Sequence, residues 1–162
     1  MGSVNVERVR FMAKETVRIA DQIRRAFSGD AWHGPPLSEL LEAVSEEQAS
    51  TRPLSSGHTI HELVLHIEVY VSGALAAAEG GEMPKIYGTG DDWRSGGDWG
   101  EATARMFDAA TRLARAVEKF PEERLGDTVP GRDYDFYYLF HGIVQHSLFH
   151  GGQIAMLKRA TA

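Results

Sequence analysis

Four long stretches of this chain place apolar residues three and four apart, and no convincing two-residue alternation competes with them. The first carries Val9, Met12, Ile19, Ile23 and Phe27 and ends near "SGD". The second carries Leu63, Ile67, Val71, Leu75 and Ala78 until "EGGEMP" stops it with two glycines and a proline. The third runs from about Glu101 to Phe120 through Met106, Ala110, Leu113 and Val117, closed by Pro121. The fourth begins after "VPGRD" and carries Leu139, Ile143 and Leu157. Helices of about 20 residues are roughly 30 Å long. Rods of that length, each with one apolar stripe, bury it only against one another. The expectation is an all-α fold, a four-helix bundle forming one domain over residues 1–162.

Two connections are long enough to cross the bundle. Residues 28–57 contain "SGDAWHGPPL" and a short helical pattern around "SELLEAV". Residues 80–100, "GGEMPKIYGTGDDWRSGGDWG", hold seven glycines and two tryptophans. Loops beyond about 12–15 residues in a small domain are often functional.

The net charge of −6 argues against a nucleic-acid partner and against adhesion to anionic membranes. No run of 18 apolar residues predicts a membrane span. The start "MGSVNVERVR" lacks the apolar core of a secretory signal, and Val6 stands where a myristoylation pattern wants Ser or Thr. A cytoplasmic protein is the simplest expectation. Cysteine is absent, so a metal here must be held by His, Asp or Glu, and any thiol chemistry needs a sulfur from a small molecule.

The stretch "HTIHELVLHIE" resembles a zincin helix with one residue too many. Five residues separate His61 from His66, which sets them about 140° apart on a helix, so the two cannot share an ion. Glu62 has a plainer role: Thr59-x-x-Glu62 is a capping box. His58 and His61 are then expected near a wet helix end, with His66 one turn further into the apolar part.

"QHSLFHGGQ" is different. His146 and His150 lie four apart, about 40° and 6 Å from each other on a helix, which suits one ion. Gly151 and Gly152 follow, each lowering helix propensity by about 1 kcal/mol, and Gly142 sits one turn earlier, where it leaves room for a ligand. Gln153, seven after His146, is a candidate to bond a bound water or substrate. In a bundle, His66 can meet this pair, giving three imidazoles and an open coordination position. On spacing alone two readings stay open: a metal site at His66, His146 and His150, or three unrelated core and surface histidines. His141 faces elsewhere. His33, in "AWHGPP", is a candidate for the mouth of a site or a solvated loop residue. No paired E-x-x-H, G-x-S-x-G, P-loop or dinucleotide fingerprint is present.

"HTIHELVLHIEVY", "VPGRDYDFYYLFHGIVQHSLFHGGQIAMLKR" and "WHGPPLSELLEAVSEEQASTRPL" together resemble the DinB-like, or YfiT-like, metalloenzymes. That family writes ELVxHIxxW in its second helix and HxxYHxGQIxxLR in its fourth. The resemblance implies a crossover-rich four-helix bundle whose metal ligands fall on His66, His146 and His150. It implies a divalent ion, zinc or nickel foremost, with iron and manganese also accepted. It further implies homodimers and, in better-understood relatives, S-transferase or isomerase chemistry with low-molecular-weight thiols. The chain departs from the pattern at Val69–Tyr70 and at Phe149, where Tyr is common.

These features define a leading expectation, a metal-dependent, thiol-using S-transferase or isomerase acting on a small molecule. A hydrolase using a metal-bound water is the alternative enzyme. It needs a general base, and no Asp or Glu is placed on the ligand face by spacing, Asp135 being about three turns from His146. A non-catalytic metal-binding dimerisation or stress domain is the third reading, distinguished by a closed coordination shell without a neighbouring cavity.

Overall fold

The computed structural model describes residues 13–162; the N-terminal stretch, including Val9 and Met12 of the first expected stripe, lies outside them. Helix α1 spans Glu15–Ser28, α2 Leu37–Leu41, α3 Glu46–Ser50, α4 Ile60–Ala78, α5 Trp99–Lys119 and α6 Phe136–Ala160. No strand occurs among the described residues, where the single β-type pairing is an isolated antiparallel bridge between Thr128 and Asp135.

The four long helices form the bundle. α4 packs on α5 and α6, and α1 packs on the same two, so α1 and α4 are diagonal partners, as are α5 and α6. The α1–α4 connection therefore crosses the bundle, carrying α2 and α3 with it, and the α5–α6 connection crosses it again. Leu37 and Leu41 of α2 are buried against this core. The apolar stripes meet through Ile19 and Ile23 of α1, Leu63 and Ile67 of α4, Met106 and Leu113 of α5, and Phe140 and Ile154 of α6, each buried. At one end Phe120 and Phe136 close on Phe140, with centroids 5.3 and 5.7 Å from it, and the Arg124 guanidinium covers Phe120 and Phe136.

The helix ends follow from local chemistry. Thr59 and Glu62 form the capping box, each side chain taking the other residue's backbone N–H at 3.1 and 2.9 Å. Asp98 caps α5 by accepting from Glu101 N at 2.8 Å, so Trp99 opens a helix rather than ending the glycine-rich loop. Asp135 caps α6 by accepting from Tyr138 N. The loop between α4 and α5 is tied to the α5–α6 connection by Met83 N bonding Pro130 O at 3.2 Å and by Arg132 donating to Pro84 O.

Two expectations change. His61 is not wet: it is 6% exposed, with Trp99 edge-on to its ring at 5.5 Å. α3 packs on the start of α4, and Trp99, held by its indole N–H on Val44 O, closes the remaining side. Second, α4 is long and apolar enough by length and composition to cross a bilayer, although no uninterrupted apolar run of that length exists. In the fold it is the bundle's most enclosed helix, with Ile60, Leu63, Val64, Ile67, Val71 and Ala74 all buried.

Candidate metal centre

Because α4 and α6 are neighbours, the face of α6 that carries His146 and His150 meets the second turn of α4, where His66 sits. His66 and His150 are each 5% exposed, and His146 is half-buried. His146 Nε2 lies 2.9 Å from His66 Nε2 and 3.2 Å from His150 Nε2. One ring nitrogen from each of the three falls within 4.8 Å of the other two.

The outer edges of the rings decide what the inner edges offer. His66 Nδ1 is 2.7 Å from the main-chain carbonyl of Asp92. A carbonyl only accepts, so Nδ1 carries the proton and Nε2 presents a lone pair. His150 Nδ1 lies 2.6 Å from Gln153 Oε1, with the same consequence. Between these lone pairs stands His146, whose Nδ1 is buried and unpartnered. In a neutral ring it has one proton to satisfy two acceptors, so at least one short contact brings lone pairs together.

Protonation is a poor remedy. Burial, with the charges of His150 and His66 adding to it, pushes His146 down to about 3. Burial likewise lowers His66 and His150. A divalent cation would satisfy all three donors. Tetrahedral zinc with Zn–N near 2.0–2.1 Å puts nitrogens about 3.3 Å apart, close to the two spacings from His146 and inside the 4.8 Å that bounds all three. The donor set therefore fits a divalent metal.

The glycine-rich loop supplies what spacing did not reveal. Asp92 is 6% exposed, and its Oδ1 approaches His66 Nδ1 at 3.3 Å while accepting from the Tyr70 hydroxyl at 3.1 Å. Its Oδ2 accepts from Gly88 N at 3.2 Å. The Tyr70 ring leans on His146 with centroids 4.5 Å apart, and burial beside Asp92 raises its hydroxyl to about 12. Trp93 lies parallel to His66 at 3.9 Å and to His58 at 3.4 Å. Two rings so close and parallel to one indole face would overlap each other, so they flank it. The sequence signal that could have found this group is "DDW" inside a loop otherwise made of glycine and polar residues.

Other candidates are placed differently. Gln153 bonds His150 and so orients a ring, where a contact to water or substrate was expected. His33 is exposed in the α1–α2 loop and takes no part in the histidine cluster. His141 lies beside Tyr137, 3.8 Å from Glu15 Oε1. Asp135 is committed to its helix cap. Nor do the glycines answer to the site: a methyl group at Gly142 or Gly152 would touch nothing, and one at Gly151 would make ordinary contact with Leu37 and Leu40 of α2. Gly152→Ala, helical and unobstructed, is expected to raise stability by roughly 0.5–1 kcal/mol, read as a higher Tm.

A cleft of about 1210 Å³ lies between the end of α1, α2 and the start of α5, away from the three histidines. Donor geometry, rather than cavity size, locates the centre.

Fold and site thus define a class: a helical-bundle protein with a buried histidine cluster compatible with a divalent metal. A family model described as the DinB superfamily matches residues 32–154, and the chain belongs to that metal-binding superfamily. No curated protein and no solved structure matches it.

Proposed function

We propose that this protein is a divalent-metal-dependent transferase that uses a low-molecular-weight thiol, with His66, His146 and His150 holding the ion, zinc or nickel foremost. The observation that carries this reading is three converging neutral nitrogens with no fourth His, Asp or Glu in the cluster among the described residues, which leaves a position for an outside ligand. When bound, a divalent ion at such a site lowers the pKa of a coordinated thiol or water and so supplies a nucleophile at neutral pH. The chain itself has no cysteine, so the sulfur comes from the co-substrate.

The chain's own residues fix the imidazoles and shape their surroundings. Asp92 and Gln153 hold the outer edges of His66 and His150. Tyr70, kept protonated, packs against His146, while the half-exposed Trp93 and the exposed Phe149 flank the cluster. In the transfer, the thiol sulfur forms a bond to an electrophilic carbon and the leaving group departs with its bonding electrons. An isomerase would reverse the addition after rotation.

Asp92 faces the Nδ1 edge of His66, away from the converging nitrogens, and its carboxylate is already engaged. It is therefore badly placed to activate a water, which favours a thiol over the hydrolase alternative.

The metal-loaded protein, given low-molecular-weight thiols and a chlorobimane electrophile, is expected to accelerate conjugation, and His146→Ala to lose the acceleration. Equal rates with both proteins would defeat the transferase reading. Thiol-independent turnover of esters or amides would favour the hydrolase. A homodimer and a cytoplasmic setting complete the proposal. Tyr138, Phe149 and Met156 are exposed on one stripe of α6 and form the surface on which self-association would be sought by sedimentation.

A further inference from the structure

Resting on the reading of the three histidines as metal ligands, we infer that Asp92 is the positioning residue of that centre. It fixes the tautomer and angle of His66 from a loop that contributes no ligand.

His66 is gripped on its edge and on its face. On the edge, Nδ1–H donates to the Asp92 carbonyl at 2.7 Å, and the Asp92 carboxylate Oδ1 stands beside the same nitrogen at 3.3 Å. On the face, the next residue, Trp93, stacks within 4° of parallel and is itself backed by His58. Both grips come from a segment that no regular helix or strand holds in place.

The Asp92 carboxylate holds that segment. Oδ1 takes the Tyr70 hydroxyl from α4, one turn beyond His66, and Oδ2 takes Gly88 N–H from its own loop. A carboxylate buried to this degree is retained against the cost of removing its charge from water. A loop fastening alone could be made with a neutral group. A negative charge against the Nδ1–H of a ligating imidazole does something a neutral group does less well: it raises the electron-donor strength of Nε2 on the opposite edge. The second outer acceptor, Gln153 on His150, is neutral. His146 Nδ1 has no partner. The three ligands are thus unequally supported, and His66 is the one held by charge.

The test compares zinc affinity, by competition with a chromophoric chelator, in wild type, Asp92→Ala, Asp92→Asn, Tyr70→Phe and His146→Ala. Loss of an outer partner of this kind weakens metal binding about 10–100-fold, and Asp92→Ala is expected in that range. Asp92→Asn, which keeps the shape and removes the charge, is expected to fall between it and wild type, with Tyr70→Phe weakened least.

A cobalt-loaded sample of each gives a second readout. At saturation the d–d absorption of Asp92→Asn is expected to shift from wild type, because the donor strength of His66 has changed. A residue that only fastened the loop would leave those bands in place, so unmoved bands overturn the inference, as does a zinc affinity within twofold of wild type in both Asp92 variants. Should Asp92→Ala fail to fold, Asp92→Asn alone decides. If His146→Ala keeps wild-type zinc affinity, the centre itself is wrong and this inference falls with it. If His146→Ala loses zinc and the Asp92 variants do not, only the inference about Asp92 is lost.

Discussion

His146→Ala is expected to remove most of the metal affinity while leaving the metal-free protein as stable as wild type, or slightly more so. Complete structural zinc sites bind with about 10–16 kcal/mol, or roughly 2.5–4 kcal/mol for each of four ligands. Losing one of them corresponds to a few hundredfold in affinity. The metal-free side of the prediction comes from the electrostatics. His146 is a buried imidazole with an unpartnered Nδ1 and an Nε2 set against two other nitrogens. Removing it relieves an unfavourable cluster at the expense of packing against Tyr70. The two halves separate in one pair of melting experiments. At a free metal concentration of 100 times Kd, wild type gains about 2.7 kcal/mol. For a chain of this size that is a rise in Tm of about 5–10 °C. The variant should show no such rise. A substitution that merely damaged the fold would lower Tm with and without metal alike.

Phe140→Ala is expected to be the most damaging single change to the fold itself, costing about 3–5 kcal/mol. Phe140 is fully buried on α6 and receives Phe120, at the end of α5, edge-on at 5.3 Å. It also meets Phe136, one turn earlier, at 5.7 Å. These rings join the last turn of α5 to the first turns of α6, the place where the chain changes corners of the bundle. A cavity there loosens the docking of the helix that bears two of the three histidines. Domains of this size are stable by about 5–15 kcal/mol, so the loss is a large share of the total. Denaturant unfolding checks it as a lower midpoint, and a loss of unfolding free energy below about 1 kcal/mol would mean that the site collapses around the hole.

The framework of the bundle was legible because helices write their period into the chain. Ile67, Val71 and Leu75 repeat as a stripe, and Thr59 with Glu62 marks where α4 begins. The same regularity made His146 and His150 readable as a pair and made His61 with His66 readable as no pair at all. What lay beyond reach was placed by irregular backbone. Asp92 and Trp93 occur in a loop whose glycines remove any periodicity, so nothing in their spacing says that one meets the edge of His66 and the other its face. His61 looked solvated because a helix terminus usually is; in the fold it is buried, with Trp99 from the start of α5 edge-on to its ring. Gln153 was placed on the right side of α6, but its reach back to His150 Nδ1 depends on a rotamer that angular arithmetic does not specify. Gly142 was credited with making room, yet a methyl group there would meet nothing within 4 Å.

The cluster draws one ring from α4 and two from α6, with His66 and His146 separated by 80 positions in the chain. At 5–20 residues per second on the ribosome, roughly 4–16 s pass between synthesis of the first and of the second. During that interval a nascent chain displays only one of the three clustered imidazoles, too few to form the site. The three-nitrogen cluster is thereby complete only once the last helix docks, so any cation held by all three rings would be selected by a folded bundle and not by an unfinished chain.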